Sequence, residues 1–368
     1  MNDKPLVSVI IPVCNCEKYI SEAISSILKQ TFSNFELIII DDGSIDNTRE
    51  ILRSIIDRRV SVYFNEKNMG QSYTRNKGVD IAKGSYIAQL DADDVATFDR
   101  LEKQLLFFKN HPDCAVLGSF EGVIDKDSKL EHKIICRYID PDYIASSFLF
   151  LYPYITHRSV MVKRDILKKF KYDEHYMTCQ DYDLFSRISL SGYKLYNISE
   201  ILVYRREHLN RITYDKWYQS FSKRKEIAEK LLKMLEIDFD KTDLLKHMYF
   251  RKLHVKRDSY IIDIKYLKWA ENWLLKLIDA NNRLKIYPSR AFKTIVGKCW
   301  FSVCSNVENS IKKDAMKILF SSRLFRYTLF MLKADFTQLY INKFKCKMKL
   351  SKLYHSVFTQ LNCGNFGH

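Results

Sequence analysis

The sequence predicts an α/β fold with a mostly parallel sheet and helices on both of its faces, followed by a mostly α-helical C-terminal region. Over residues 6–110, short apolar runs alternate four times with amphipathic stretches, which is the order of repeated strand–helix units. Runs such as VSVII and ELIII are apolar without alternation, as in parallel strands that helices cover on both faces. From residue 215 onward, apolar residues recur at helical spacing and few breakers interrupt them.

Each element of the first part is placed by an apolar run and by the turn residues that bound it. Strands are predicted at Leu6–Ile11, Phe35–Ile40, Val60–Phe64 and Tyr86–Leu90. Helices follow them at Glu17–Lys29, Thr48–Ile56, Gln71–Lys83 and Thr97–Asn110. Between residues 114 and 203 the pattern is mixed, with strands at Cys114–Ser119, Val160–Val162 and Leu195–Val203 and helices at Tyr143–Leu149 and Asp181–Leu190. We place the domain boundary after residue 213, which divides the chain into residues 1–213 and 214–368.

The composition is that of a folded globular protein. The chain has 368 residues, 46% hydrophobic and 28% charged, which excludes a disordered or collagen-like chain. The sequence has no apolar run of the roughly 20 residues that a membrane-spanning helix needs, and the N-terminus lacks the pattern of a signal peptide. Nine scattered cysteines are better explained as reduced, packed thiols than as a disulfide framework. We therefore expect a cytoplasmic protein.

The net charge of +16 belongs to the second part of the chain. Residues 1–210 carry 28 basic and 30 acidic residues, whereas the remainder carries 32 basic and 14 acidic ones. Such asymmetry predicts contact with a polyanion, either nucleic acid or an anionic membrane surface. Its aromatic residues recur at helical spacing, which favours a helical core over a nucleic-acid surface. Stretches that pair Lys and Arg with Phe, Leu and Tyr, such as FSSRLFRYTLFMLK and NKFKCKMKLSKLYHSVF, fit a peripheral element at the inner face of the membrane.

Polar residues follow the first, second and fourth predicted strands. The segments are PVCN from Pro12, DDGS from Asp41 and DADD from Asp91. Parallel strands bring their carboxyl ends to one edge of the sheet, where ligands bind in such folds, so five carboxylates are expected to gather there. Carboxylates held that close repel and raise one another's pKa, so we expect a cation or the hydrogen-bond donors of a ligand to neutralise them.

The Asp91-Ala92-Asp93 triplet has the composition of a Mg²⁺ or Mn²⁺ site. Oxygen ligands on a strand-to-loop turn hold such a cation and leave it free to bind phosphate oxygens. The alternative is that these aspartates cap the next helix, although Asp94 or Thr97 could do so alone. Because two more aspartates end a neighbouring strand, we favour the metal site. The glycine patterns of Rossmann dinucleotide sites and of P-loops are missing from the sequence, which disfavours a dehydrogenase or a P-loop ATPase.

Taken in order, these segments resemble the inverting family 2 glycosyltransferases of the GT-A fold, of the type that builds bacterial polysaccharides. The resemblance extends over about residues 5–214. It rests on VSVIIPVCNCEKYI, ELIIIDDGSIDNT, NMGQSYTRNKG, YIAQLDADD, QDYDLFSRI and RREHLNRIT. The basic C-terminal stretch carries no part of it.

The resemblance implies a nucleotide-sugar pocket at the strand ends. Its residues would be Pro12, Val13, Asn15, Glu17, Asp41, Asp42, Arg75, Asp91 and Ala92. Asp91 would lie on the ribose side, and Asp93 would hold the Mg²⁺ or Mn²⁺ on the diphosphate. His208 would approach the metal or the diphosphate from a loop that orders over the bound donor.

The resemblance also implies an acceptor side. Asp181 would be the catalytic base at the start of a helix, and Gln180 stands where the family usually has Glu. Asp183 and Arg187 are four residues apart on the same predicted helix and are expected to pair. His157, in THRSVMVKR, would be a packing or acceptor-side residue.

The implied reaction moves a sugar from a nucleoside-diphosphate sugar, with a UDP-sugar favoured, to a hydroxyl group with inversion. The acceptor would be a saccharide or a lipid-linked saccharide. A nucleotidyltransferase would share the metal, nucleotide and sheet, but PVCNCEKY stands where its glycine-rich basic loop is expected. A glycoside hydrolase would also use two carboxylates but has no need of a metal-type cluster on strand ends. The non-enzymatic alternative is a nucleic-acid or other polyanion binder acting through the basic part.

Overall fold

The computed structural model describes residues 4–135, 137–152, 154–207, 217–251 and 262–335. These residues form two compact units. The first comprises the described residues up to 139 together with 155–207, and the second comprises those of 140–154 and those from 217 onward. The domain boundary predicted after residue 213 lies outside the described residues, so that division stays a proposal.

Nine strands in the described part of the first unit form one mixed, mostly parallel sheet. They are β1 (Val7–Val13), β2 (Phe35–Asp41), β3 (Val60–Phe64), β4 (Tyr86–Gln89), β5 (Val95–Ala96), β6 (Cys114–Ile124), β7 (Leu130–Ile135), β8 (Met161–Lys163) and β9 (Lys194–Arg206). Their order is β3-β2-β1-β4-β8-β6-β9-β5, with β7 paired to β6 outside this row. The first four strands are parallel to one another, and so are β6 and β9. Strands β5, β7 and β8 run antiparallel to their partners.

The described helices are numbered along the chain. They are α1 (Ile20–Leu28), α2 (Thr48–Arg53), α3 (Gln71–Ile81), α4 (Arg100–Asn110), α5 (Pro141–Ser147), α6 (Arg164–Phe170), α7 (Gln180–Leu190), α8 (Trp217–Met234), α9 (Lys241–Met248), α10 (Ile264–Leu284), α11 (Ser289–Ser305), α12 (Lys312–Ser321) and α13 (Phe325–Asp335). Short 3₁₀ turns add Phe148–Phe150, His157–Ser159, Tyr249–Arg251 and Asn309–Ile311.

Helices pack on both faces of the parallel strands, which confirms the predicted α/β class. Alternate residues of a strand point to opposite faces. Val9 and Ile11 of β1 belong to the core cluster that also contains Ile24 of α1. Ile10 points the other way, toward α3, where a Cβ on Gly78 would lie 2.8 Å from Ile10 Cγ2. Burial on both faces explains why the strand sequences are apolar without alternation.

The sequence does not predict β5, β7 and α6. Strand β5 contains only two residues, too few to carry a periodic signal, whereas β7 and α6 contain six and seven. The partners of β5 and β7 lie on β9 and β6, so the pairing that defines each strand is visible only in the folded chain. Strands β6 and β9 are also longer than predicted, because they pair with each other along almost their whole lengths.

The described part of the second unit is helical, as predicted. Its core includes Trp273 and Leu274 of α10 and Ile295 and Trp300 of α11, all nearly inaccessible to solvent. Helix α9 begins with a capping box in which Asp240 and Asp243 exchange side-chain and backbone bonds.

The continuous helical pattern around residues 314–332 is interrupted in the structure. Helix α12 ends before Ser322, whose ψ of 143° is extended. The Ser322 hydroxyl accepts from Leu324 N–H at 3.0 Å and donates to Glu271 Oε1 at 2.7 Å, so it stabilises the break. None of the helices in the described residues combines the length and apolarity that crossing a bilayer requires.

Candidate active site

The carboxyl ends of β1, β2 and β4 lie side by side, as the sequence predicts. Val13 is in register with Asp41 across β1 and β2, and Asp42 N–H donates to Val13 O at 2.8 Å. Cys16 Sγ lies 3.4 Å from Ala92 O, which joins the segment after β1 to the segment after β4. The fold therefore brings the three polar segments to one edge of the sheet.

The apolar residues of the predicted pocket lie at this edge. Pro12 is half-buried near the end of β1, whereas Val13 and Ala92 are buried. Their side chains have no donors or acceptors, so they can contribute only shape and backbone groups to a ligand site.

Two polar residues of the predicted pocket bind the segment after β2. The Asn15 Oδ1 atom accepts from Ile45 N–H at 2.8 Å, and Glu17 Oε2 accepts from Asn47 N–H at 2.9 Å. In return, Asn15 N–H donates to Ser44 Oγ at 2.9 Å. These bonds hold the first two strand-end segments together.

The two aspartates at the end of β2 are buried and have different partners. Asp41 Oδ2 accepts from Arg49 Nε at 2.7 Å. Asp42 Oδ1 accepts from Met69 N–H at 2.8 Å, and its Oδ2 accepts from Gly70 N–H at 2.9 Å. Asp42 therefore shapes the loop that enters α3, while direct contact of either aspartate with a nucleotide stays a prediction.

Three carboxylates after β4 form the candidate metal cluster. One oxygen from each of Asp91, Asp93 and Asp94 lies within 4.8 Å of the other two. Asp94 is fully buried: its Oδ2 lies 3.0 Å from Arg158 Nη1 and its Oδ1 accepts from Arg206 N–H at 3.0 Å. Burial raises the pKa of Asp94, and the Arg158 guanidinium opposes that rise. Asp91 and Asp93 are half-buried and thus accessible to a cation.

Asp94 and Thr97, the two residues that could have capped the next helix, do not cap it. Helix α4 begins at Arg100 after Asp99, whose side chain makes no capping bond, and the first turn is instead satisfied by Gln30 Oε1, which accepts from Leu101 N–H at 3.0 Å. Asp94 is committed to its buried partners, and the Thr97 hydroxyl donates to Asp99 Oδ1 at 2.9 Å. The ion pair with Arg158 competes successfully for the Asp94 carboxylate because a buried charge without a partner is costly.

Arg75 connects the donor side of the site to α7. This side chain is only 3% exposed, and its Nη2 donates to Asp91 Oδ1 at 3.1 Å. Its Nη1 donates to Gln71 Oε1 at 2.9 Å, and the same oxygen accepts from Gln180 Nε2 at 2.7 Å. A continuous chain of bonds thus runs from the first residue of α7 to Asp91.

His157 is buried in the same region. Its Nε2 and the Tyr172 hydroxyl lie 2.7 Å apart, and its Nδ1 has no hydrogen-bond partner among the described residues. Burial, followed by the nearby Arg75 guanidinium, lowers the pKa of His157 well below its usual value. A neutral imidazole is therefore stable here, and its predicted place on the acceptor side stays a prediction.

Asp181 lies half-buried in the first turn of α7. The preceding Cys179 has a φ of 62°, so the chain turns sharply into this helix. The predicted pair on the same helix is present, with Arg187 Nε 2.8 Å from Asp183 Oδ2. Arg187 also donates to the carbonyl oxygen of Phe170, which anchors α7. Asp183 is thus fixed by its ion pair with Arg187 on the same helix, whereas Asp181 is partly accessible to solvent.

Comparison with known proteins decides the family. The family model described as "Glycosyl transferase family 2" matches residues 8–190. Over 238 residues the chain is 38% identical to an uncharacterized glycosyltransferase of Methanocaldococcus jannaschii, an alignment that covers 60% of this chain and 79% of the relative. This chain belongs to glycosyltransferase family 2.

Two further relatives of this family 2 glycosyltransferase have more specific names. The putative teichuronic acid biosynthesis glycosyltransferase TuaG of Bacillus subtilis is 34% identical and covers 59% of this chain and 84% of its own. The Escherichia coli enzyme named UDP-Glc:alpha-D-GlcNAc-diphosphoundecaprenol beta-1,3-glucosyltransferase WfgD is 34% identical, with 54% and 74% covered.

Solved structures confirm the predicted GT-A fold. Staphylococcus aureus TarS 1–349 in complex with UDP-GlcNAc matches with a TM-score of 0.53 at 18% identity and covers 91% of this chain and 93% of its own. The complex of the same protein with UDP matches with a TM-score of 0.51. At this identity the likeness concerns the fold alone.

Several residues of the family 2 glycosyltransferase site are visible only in the structure. Sequence reasoning singles out neither Arg158 nor Arg206 as a partner of the acidic cluster, and it misses Gln71 and Tyr172. The one signal for such a partner is the arginine that immediately follows His157 in the sequence. An acidic cluster at the strand ends requires cations from elsewhere in the chain. His208, a predicted metal-side residue, lies outside the described residues.

Proposed function

We propose that this glycosyltransferase transfers a sugar from a nucleoside-diphosphate sugar to an acceptor hydroxyl with inversion. We favour a UDP-sugar as donor and a saccharide or lipid-linked saccharide as acceptor, in bacterial polysaccharide biosynthesis. The observation that carries the proposal is a chain of side-chain hydrogen bonds. It connects the carboxylates at the strand ends to the first turn of α7, where Asp181 lies. The names of WfgD and TuaG, and the UDP and UDP-GlcNAc bound by TarS, support the donor and acceptor classes.

The donor occupies the edge formed by the ends of β1, β2 and β4 in this proposal. Asn15 and Glu17 keep the wall of the pocket in place, because they bind the segment after β2. Asp42 keeps the backbone before α3 in place through Met69 and Gly70. Arg75 and Asp91 then face the ribose and diphosphate from the opposite side of the pocket.

The residues after β4 fit a divalent cation. Asp91 and Asp93 offer half-buried carboxylate oxygens close to each other, and oxygen ligands are what Mg²⁺ and Mn²⁺ prefer. Asp94 forms an ion pair with Arg158 and is the buried member of the cluster. We propose Asp93 as the main ligand, with His208 as a second residue that approaches the metal or the diphosphate. When bound, the cation would neutralise charge on the departing nucleoside diphosphate.

Asp181 acts as the base in this proposal. Inversion requires the acceptor oxygen to attack the anomeric carbon from the side opposite the leaving group, so its proton must be taken on that side. The Asp181 carboxylate accepts this proton, and the new glycosidic bond forms as the bond to the diphosphate oxygen breaks. No covalent enzyme intermediate is needed.

The test is direct binding of a panel of nucleoside diphosphates and sugar nucleotides, with and without Mn²⁺. We expect one nucleotide to bind to the wild type in a metal-dependent way and Asp93→Ala to lose most of that binding. Asp80→Ala is the matched control, because Asp80 is exposed on α3 and pairs only with Lys171 at 3.0 Å among the described ion pairs. Its binding should equal that of the wild type.

Three results would contradict this proposal. Absence of nucleotide binding by the wild type would remove the donor site altogether. Transfer of a labelled phosphate, rather than a labelled sugar, into the product would indicate a nucleotidyltransferase instead. Cleavage of a glycan without any nucleotide would indicate a hydrolase.

We further propose that the helical unit binds an anionic membrane surface at its cytoplasmic face. Leu329 and Phe330 of α13 are 50% and 53% exposed, and Arg326 lies one turn before them on the same face. Phe320 is 59% exposed, and its ring centroid lies 5.1 Å from that of Phe325 at the start of α13. Exposed basic residues lie on the same helices or beside them: Lys313 and Lys317 are on the face of α12 that carries Phe320, and Lys312 and Arg323 are exposed as well. Helices that expose both apolar side chains and cations fit an anionic lipid surface better than nucleic acid, so we do not favour a nucleic-acid partner.

A further inference from the structure

The amide group of Gln71 joins two side chains that have opposite places in the site. Its Oε1 accepts from Arg75 Nη1 at 2.9 Å and from Gln180 Nε2 at 2.7 Å. Gln71 and Arg75 are four residues apart on α3, whereas Gln180 begins α7, 109 positions further along the chain. One oxygen atom therefore connects the two helices.

The guanidinium of Arg75 depends on this oxygen for its orientation. Among the described residues, Arg75 Nη2 donates to Asp91 Oδ1 at 3.1 Å, and Arg75 Nε is buried without a hydrogen-bond partner. With a side chain only 3% exposed, Arg75 has little water to replace a lost bond. Two contacts, Gln71 and Asp91, thus determine how the guanidinium faces the donor side.

We infer that Gln180 is a positioning residue that acts through Gln71 to orient Arg75 against Asp91. The chain Gln180–Gln71–Arg75–Asp91 would set the distance between the first turn of α7, which carries the proposed base, and the donor carboxylates. The inference rests on the proposed function for the roles of Asp91 and of α7. It also gives a role to Gln180, which stands where the family usually has Glu.

The arrangement requires a donor at position 180. Gln71 presents its oxygen to Arg75, so a partner on the same oxygen must also bring a hydrogen atom. A carboxylate at position 180 would place one acceptor 2.7 Å from another and would force the Gln71 amide to turn away from Arg75. The residue that the family usually has is therefore expected to impair this chain.

The experiment compares steady-state transfer and UDP binding for Gln180→Glu, Gln180→Met, Gln71→Met and Gln71→Glu. We expect each of the first three to raise the donor KM or lower kcat about tenfold or more. Gln71→Met leaves the charged, buried Arg75 without one of its two partners, and Gln180→Glu does the same by turning the Gln71 oxygen away. Gln180→Met removes the bond that orients the Gln71 amide toward Arg75. Gln71→Glu keeps an acceptor for both neighbours and should stay within about threefold of the wild type. Asp80→Asn, exposed on the same helix as Gln71, is the control and should match the wild type.

A double-substitution cycle separates positioning from general packing. If Gln180 acts through Gln71, the double variant Gln71→Met with Gln180→Met should be no worse than the more affected single variant. A double variant whose loss of activity equals the product of the two single losses would overturn the inference. An equal loss of activity in Gln71→Glu and Gln71→Met would also overturn it. Unchanged kinetic constants in both Met variants, with a wild type that binds UDP and transfers sugar, would overturn the inference alone. A wild type that binds no nucleotide would overturn the proposed function and this inference with it.

Discussion

At the scale of single residues, α7 carries two aspartates with different surroundings. Asp183 is 3% exposed and pairs with Arg187, whereas Asp181 is half-buried in the first turn. A carboxylate committed to an ion pair is a poor proton acceptor, because the guanidinium stabilises its ionised form. The partly accessible Asp181 is therefore the better base of the two.

We expect Asp181→Asn to lower kcat by at least about 100-fold while the Kd for UDP stays unchanged, because the amide cannot take a proton. Rates of sugar transfer and calorimetric titration of UDP measure the two quantities. Asp183→Asn is the matched control on the same helix, and it should lower the thermal stability rather than remove the chemical step. Equal turnover of Asp181→Asn and the wild type would exclude Asp181 as the base.

His247 makes the stability of the helical unit depend on pH. It is 1% exposed, and its Nε2 lies 2.8 Å from Leu149 O while Trp273 Nε1 donates to its Nδ1 at 3.0 Å. Burial lowers the pKa of His247 to about 4. A proton on Nδ1 would also point at the Trp273 N–H group. The folded unit therefore favours the neutral ring.

The unfolded chain binds a proton at His247 below about pH 6.5, whereas the folded chain binds this proton only below about pH 4. The contribution to the free energy of unfolding is thus present above pH 6.5 and is lost as the pH falls, up to about 3 kcal/mol. His247→Gln can accept from Trp273 and donate to Leu149 but cannot titrate. Urea unfolding at several pH values should show a smaller loss on acidification in the variant. Parallel curves for both proteins would contradict this account.

At the scale of elements, the turn after β2 and the loop that enters α3 each contain a glycine with positive φ. Gly43 has a φ of 77°, and a Cβ there would lie 2.6 Å from Asn68 N. Gly70 has a φ of 92°, but a Cβ added to it would meet no atom within 4 Å. The first position therefore combines backbone strain with a collision, and the second has strain only.

We expect Gly43→Ala to destabilise the protein by more than about 2 kcal/mol and Gly70→Ala by about 1 kcal/mol. Differential scanning calorimetry should show the larger drop in Tm for Gly43→Ala, at about 2–4 °C per kcal/mol. Gly43→Ala should also weaken UDP binding, because it displaces the loop that Asp42 holds. Equal Tm values for the two variants would show that the close approach of Lys67 and Asn68 to Gly43 has no energetic effect.

At the scale of the whole molecule, the uneven charge distribution predicts where the protein resides. The basic excess belongs to the part after residue 210, while the part with the candidate active site is nearly neutral. Electrostatic attraction to an anionic surface would therefore act mainly on the helical unit.

We expect the protein to float with vesicles that contain phosphatidylglycerol but not with pure phosphatidylcholine vesicles. Raised ionic strength should weaken the binding, because exposed charges are screened. Arg323→Glu with Arg326→Glu should lose most of it. Lys109→Glu with Lys168→Glu makes the same charge change at exposed positions of the first unit and should bind normally. Equal binding by both double variants would contradict a specific lipid-binding face.

Much of the candidate site could be predicted from the sequence, because its residues directly follow apolar runs that clearly predict strands. The apolar runs place β1, β2 and β4, and parallel pairing then obliges their following segments to meet. Pairs within one helix are equally accessible, and the predicted Asp183–Arg187 contact is present. The actual partner of Asp94 could not be predicted, because Arg158 lies 64 positions away.

The sequence by itself determined the α/β class, the edge of the sheet at which polar residues gather and the helical character of the second part. These follow from local periodicity and from chain direction, which neighbouring residues encode. Only the tertiary structure decided which charges pair with which, that Gln71 shares one oxygen between Arg75 and Gln180, and that His247 is held neutral between Leu149 and Trp273. Such contacts depend on burial and on distances between segments far apart in the chain, and no local pattern specifies them.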